Sequence, residues 1–214
     1  WLEGQDGNDT LYGGHGIDIH VLDTSFVYTE LGDTFDGHRA NDPFSVTPED
    51  NATDIMLIEG TNLRDIIKLG QVADGQLHVD FQSILPLDVD PEDAPPGWTP
   101  ANREFLAPWR NAQGVPLIEQ FRISGLGASD DISFIEEDEP ERGVFVLDID
   151  DLVSRSDDFV GVIDGGPGND LLVGTKGRDR LDGGRHNDTI YGLAGDDRLW
   201  GDSGTGDAGD YDIL

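Results

Sequence analysis

Aspartate returns every nine residues through the C-terminal part of the chain, at Asp170, Asp179, Asp188 and Asp197. Carboxylates held at a fixed phase are hard oxygen ligands, suited to a divalent cation such as calcium, which gathers about six to eight oxygens. The period is not a property of aspartate alone. Read from Gly165, the sequence falls into the blocks GGPGNDLLV, GTKGRDRLD, GGRHNDTIY and GLAGDDRLW. Each opens on glycine, carries aspartate sixth and places an aliphatic residue eighth: Leu172, Leu181, Ile190 and Leu199. The same pattern stands near the start, in GQDGNDTLY from Gly4 and GGHGIDIHV from Gly13, with Asp9 and Asp18 in the sixth place.

The elements that must position these carboxylates follow from the block itself. Glycine reaches backbone conformations with φ > 0 and lets carbonyl oxygens approach an ion closely. The short x-aliphatic-x strand points one side chain inward and its neighbours outward. A fixed internal period of this kind marks a stacked, solenoid architecture.

The blocks resemble the RTX, or haemolysin-type calcium-binding, family, whose template is GGxGxDxUx with U a large aliphatic residue. The resemblance covers the two ends of the chain. It implies that the first six residues of each block form a calcium-binding turn and the last three a strand, with two blocks to each coil of a parallel β-roll. It further implies Ca2+ as the cofactor, held between turns two blocks apart, which pairs Asp170 with Asp188 and Asp179 with Asp197. Export by a type I route and folding outside a bacterial cell, in the medium or at its surface, belong to the same implication. Departures from the template are His186 in a fourth place and His20 in an aliphatic slot. After Trp200 the register breaks down in GDSGTGDAGDYDIL, where Asp207 is the remaining candidate ligand. Upstream, Asp157 and Asp158, with Asp150 and Asp151 before them, lie where they would cap the first regular coil.

Composition sets the outer limits. The 45 acidic residues stand against 13 Lys and Arg, a net charge of −32, which disfavours nucleic acid and anionic lipid as partners and rewards whatever neutralises carboxylates. The absence of cysteine excludes disulfides, thiolate metal sites and thiol catalysis. Low hydrophobicity with high charge can also mean disorder, yet the 36% of hydrophobic residues come in compact runs, so a folded protein is expected once metal is bound. No apolar run is long enough for a membrane span, and Trp1 is not followed by a signal-peptide pattern. The chain therefore reads as a mature fragment or a segment of something longer.

The expected fold is all-β, a calcium-stabilised parallel β-roll joined to an irregular β-solenoid. Its parts would be an N-terminal roll coil over 1–22, an irregular β-solenoid or sandwich over 23–160 with long loops at 30–53 and 82–116, and a C-terminal roll over 161–214. In the middle part strands are expected at Ile55–Ile58, Ile66–Leu69, Leu77–Phe81, Leu117–Ile123, Ile132–Ile135 and Val144–Ile149. Two of them follow degenerate forms of the same turn, GTNLRDIIK at Gly60 and GLGASDDIS at Gly125. The proline-rich stretch 82–116 is expected to include a short helix near Asn102 to Leu106.

Enzyme signatures are wanting. GDSG at Gly201–Gly204 copies the string around a serine-protease nucleophile, but Ser203 falls where another glycine-rich turn is due, and the two-barrel scaffold that would position a base, an acid and an oxyanion hole does not fit this repeat-dominated chain. The acids of LDVDPEDA, Asp88, Asp90, Glu92 and Asp93, alternate as some calcium loops do but lack the required glycine. The reading is of an extracellular calcium-binding structural module, a spacer, matrix, surface-layer or filament element, without catalysis. Its partners would be calcium, further copies stacked end to end, and extracellular polysaccharide; membrane insertion is not expected. Two other functions fit the sequence: an accessory module of a secreted enzyme, or a carbohydrate-binding adhesin acting through Trp98 and Trp109.

Overall fold

The structure is a computed structural model that describes residues 2–3, 10–12, 19–23, 34–36, 55–84, 101–107, 109–110, 116, 118–150, 152, 159–202 and 211–214. In chain order its strands are β1 (Leu2–Glu3), β2 (Thr10–Tyr12), β3 (Ile19–Asp23), β4 (Thr34–Asp36), β5 (Ile55–Glu59), β6 (Arg64–Val72), β7 (Leu77–Ile84) and β8 (Ala101–Ala107). They continue as β9 (Gln120–Ser124), β10 (Asp131–Phe134), β11 (Val144–Phe145), β12 (Gly161–Asp164), β13 (Leu171–Val173), β14 (Arg180–Gly184), β15 (Thr189–Tyr191) and β16 (Arg198–Asp202).

A nine-residue block cannot bury an apolar face alone, so coils stack and the chain passes back and forth between two sheets. The first sheet runs β1-β3-β5-β9-β12-β14-β16 and is parallel throughout. The second runs β15-β13-β10-β6, also parallel, and is then widened by the antiparallel strands β7 and β8. β2 and β4 form a separate parallel pair. In the repeats the register advances by two blocks per coil, Leu2 pairing with His20, Val162 with Arg180 and Arg180 with Arg198. The ladder from β9 to β12 joins the middle of the chain to the C-terminal roll without a break.

The chain crosses from the first sheet to the second at short turns, 60–65, 125–130, 165–170 and 183–188, and this side is called the first edge. On the return crossing, the second edge, the C-terminal repeats use the turns 174–179 and 192–197, whereas β6 to β9 and β10 to β12 are joined by long excursions. The long excursions thus leave mostly from the second edge, and the parallel ladders stay in register past them.

The core lies between the sheets. Leu172, Leu181 and Ile190, the aliphatic residues of three repeats, are fully buried, and Leu199 packs against them. Each such side chain contributes about 1.5–3 kcal/mol on burial. In the wider middle coils the same layer is filled by aromatics, with Phe121 edge-on to both Trp109 and Phe134 at centroid separations of 5.8 and 6.0 Å.

Two expectations about local structure are corrected. Residues 102–106 are not helical but lie in β8, where Val79 pairs with Phe105 and Phe81 with Arg103. The edge of β7 offers unpaired backbone groups, and their satisfaction outweighs a weak local helix preference. The strand expected over Val144–Ile149 ends at Phe145. Beyond it Leu147 and Ile149 are buried from an irregular segment, held where the Val146 N–H donates to Asp138 and Arg110 donates to the Asp148 carbonyl.

Candidate metal centre

The sixth-place aspartates form a hydrogen-bonded row along the first edge. The Asp170 N–H donates to Asp188 Oδ1 at 2.9 Å, and the Asp188 N–H to Asp212 Oδ1 at 3.0 Å. Towards the N-terminus, Asp130 N–H donates to Asp170 Oδ1 at 2.7 Å and Asp65 N–H to Asp130 Oδ1 at 2.8 Å. Each carboxylate therefore reaches back one coil to the amide of the aspartate before it. On the second edge the motif recurs, with Asp179 N–H on Asp197 Oδ1 at 2.9 Å and Gly161 N–H on Asp179 Oδ1 at 2.8 Å. Hydrogen bonds to an ionised acceptor contribute about 1.5–3 kcal/mol each, so the row fastens coil to coil.

The second oxygen of each carboxylate is the chemically open one. Oδ2 of Asp130, Asp170 and Asp188 is buried with no hydrogen-bond partner, and the three residues are 2%, 2% and 1% exposed. At Gly165, the first residue of its turn, a Cβ would lie 2.6 Å from Asp170 Oδ2 and 2.7 Å from the Gly183 carbonyl oxygen of the next coil. At Gly125 the same point is flanked by Asp130 Oδ2 and the Gly165 carbonyl oxygen. Glycine is required there because any side chain would fill the space between two oxygens from successive coils.

Burial of an unpaired charge raises the affinity of these carboxyls for a proton. Desolvation pushes the Asp130 carboxyl up to about 9, and the charges of Asp170 and Asp65 add to the effect. Asp170 is raised to about 7 by burial and then by the charges of Asp188 and Asp164, and Asp188 to about 6 by burial and then by Asp212 and Asp202. Asp164 and Asp182, paired in register on β12 and β14, thus bring further negative charge to the first edge. A buried carboxylate needs a counter-charge or a proton. The donor set, one orphaned carboxylate oxygen per turn with a neighbouring carbonyl, fits a hard divalent cation such as calcium. Asp130, Asp170 and Asp188 would hold it, and the cation would supply the positive charge the row lacks. Among the described residues no three His, Cys, Asp or Glu side chains come together as a metal-binding group, as expected where each turn gives one carboxylate and backbone oxygens do the rest.

Of the residues singled out from the sequence, the structure brings together Asp170 with Asp188 and Asp179 with Asp197. Asp9, Asp18, Asp157, Asp158 and Asp207 lie outside the described residues, as do Trp98 and Ser203. Trp109 is fully buried, so it packs the core and offers no face to a sugar. Three members of the row were not among the candidates: Asp65, Asp130 and Asp212. The first two were legible as the sixth residues of GTNLRDIIK and GLGASDDIS. Asp212 lies 24 residues beyond Asp188, and its only signal is the following Ile213, which bridges Thr189.

Comparison with known families finds the RTX calcium-binding nonapeptide repeat, in its four-copy form, over residues 1–19, 164–199 and 173–208. The two ends of the chain are therefore RTX repeats of the calcium-binding kind, and the all-β roll is the fold such repeats form. No curated protein and no solved structure matches the chain. No helix among the described residues is long and apolar enough to cross a membrane.

Proposed function

We propose that this chain is an extracellular structural module, a spacer, matrix, surface-layer or filament element, that folds when calcium fills its first edge and performs no catalysis. The observation that carries the proposal is the run of buried, partnerless Oδ2 atoms at Asp130, Asp170 and Asp188. In a chain of net charge −32 these groups oppose folding until a cation joins them. Sites of this openness in extracellular modules hold calcium with dissociation constants of about 10⁻⁴ to 10⁻³ M, which leaves them empty in a cytosol and filled outside it. Secretion in an unfolded state followed by folding on arrival is consistent with that range.

Head-to-tail stacking belongs to the same proposal. Among the described residues β1 and β16 are the outermost strands of one parallel sheet, and an edge strand is a template for another strand. A contact between unlike ends need not close, so it builds filaments. Circular dichroism and thermal melting in EDTA and in about 5–10 mM calcium test the folding switch. Identical melting in the two media refutes it. Sedimentation in calcium tests the stacking, which a strictly monomeric chain at high concentration rules out.

A further inference from the structure

The turns are of two kinds, and the second residue of the block separates them. In the turns that open at Gly125, Gly165, Gly183 and Gly192 the second residue is left-handed: Leu126 at φ 70°, Gly166 at 92°, Gly184 at 102° and Leu193 at 67°. The turns that open at Gly60 and Gly174 have threonine second, and neither Thr61 nor Thr175 is left-handed. A β-branched residue strongly disfavours that conformation, so these two turns take another path.

That path sets the threonine against its own aspartate. The Thr175 N–H donates to Asp179 Oδ2 at 2.6 Å, and its hydroxyl lies 2.9 and 3.0 Å from Oδ1 and Oδ2. The Thr61 N–H donates to Asp65 Oδ2 at 2.5 Å, and its hydroxyl to Oδ1 at 3.1 Å. Both hydroxyls also accept an N–H two residues on, from Gly177 and Leu63, each at 3.0 Å. The outcome is a sharp contrast between carboxylates in equivalent places. Asp130, Asp170 and Asp188 each keep an orphaned Oδ2, whereas Asp65 and Asp179 have both oxygens occupied by protein donors. Position adds to the contrast. Asp65 heads the described row on the first edge, and Asp179 heads the second, where Gly161 holds the aspartate's place one coil earlier.

We propose that Thr61 and Thr175 close their turns in the place of a cation, so that each described row of aspartates begins with a turn formed without calcium, and calcium loads only turns whose second residue is left-handed. The second part rests on the calcium reading given above; the first does not. The closed turns give each row a preformed first coil on which the next can order, as stacked repeats require.

Amide hydrogen exchange in EDTA and in about 10 mM calcium tests this turn by turn. Amides of 61–65 and 175–179 are expected to be protected in EDTA and to change less than about twofold with calcium. Those of 166–170 and 184–188 are expected to gain about 10- to 100-fold, the factor 1 + [L]/Kd for such sites. Thr175→Gly should remove the EDTA protection of 175–179 and give that turn the calcium dependence of the others. Thr175→Ser, which keeps both donors, should behave as the wild type. Equal gains at 175–179 and 184–188 in the wild type, or no protected turn in EDTA, would overturn the inference. Calcium protecting no turn while Thr175→Gly still strips protection in EDTA would sink the calcium reading and leave the threonine closure standing.

Discussion

Asp170→Asn changes one charge and little else, and its effect on stability should reverse sign with calcium. The amide retains an oxygen where Oδ1 accepts the Asp130 N–H at 2.7 Å, so the link between coils survives. What disappears is the ionised Oδ2, buried without a partner. In EDTA at about pH 8 that is a relief, because burial and the nearby Asp188 and Asp164 charges already push the carboxyl up to about 7. The rise from 3.8 to about 7 sets the gain at up to about 4 kcal/mol. In calcium the same change removes a ligand. At about 10 mM calcium, an ion held with a dissociation constant of 10⁻⁴ to 10⁻³ M contributes about 1.4–2.7 kcal/mol. Asp170 stands between the turns 125–130 and 183–188, so the loss reaches one ion or two, about 1.4–5 kcal/mol. For a chain of this length that lowers Tm by about 3–20 °C. Thermal melts of wild type and variant in the two media decide the matter. A variant that loses the same stability in both would show that Asp170 only shapes its turn, and the argument for a ligand would be wrong.

Three further outcomes follow from the same geometry. In EDTA, acid should do part of the work of calcium. The carboxyls of Asp130, Asp170 and Asp188, at about 9, 7 and 6, are raised first by burial above the ordinary 3.8. Groups raised on folding contribute stability that is complete below the unfolded value and lost as pH climbs through the folded one, so stability should fall from about pH 5 to pH 9, by about 1.4 kcal/mol per pH unit for each net proton, and Tm with it. A flat or rising profile across that window contradicts the burial argument. Gly165→Ala would place a methyl 2.6 Å from Asp170 Oδ2 and 2.7 Å from the Gly183 carbonyl, with an expected cost of about 1–3 kcal/mol and weakened calcium binding in a titration followed by circular dichroism. Leu126→Gly should instead stabilise by about 0.5 kcal/mol in chemical denaturation, since a left-handed leucine that is 45% exposed gives up more strain than the added glycine costs in unfolded-chain entropy; a loss of stability would mean that the Leu126 side chain contributes packing.

What could be read from the sequence is what a nine-residue block settles within itself. Glycine first, aspartate sixth and an aliphatic residue eighth make a turn and a strand, and the side chains of Leu172, Leu181 and Ile190 go inward wherever the block is placed. Two adjacent blocks also determine the pairing of Asp170 with Asp188, because nothing intervenes to change the 18-residue step. In the middle of the chain the block survives only as GTNLRDIIK and GLGASDDIS, and strands such as Ile55–Glu59 were legible from their β-branched runs.

What only the tertiary structure decided is which of these pieces meet. Asp65, Asp130, Asp170, Asp188 and Asp212 share one row although successive members are 65, 40, 18 and 24 residues apart. The row is made by hydrogen bonds between coils, and the excursions that separate coils in sequence leave mostly from the second edge, so their lengths carry no trace of the contact they allow. The strand at Ala101–Ala107 and the burial of Trp109 have the same origin, since each depends on an edge or a core layer built by residues far away in the chain. The difference between an open carboxylate at Asp170 and a closed one at Asp179 also needed coordinates. Threonine in place of glycine is visible in the sequence, but that it turns back onto its own aspartate follows from a backbone path that only the folded turn reveals.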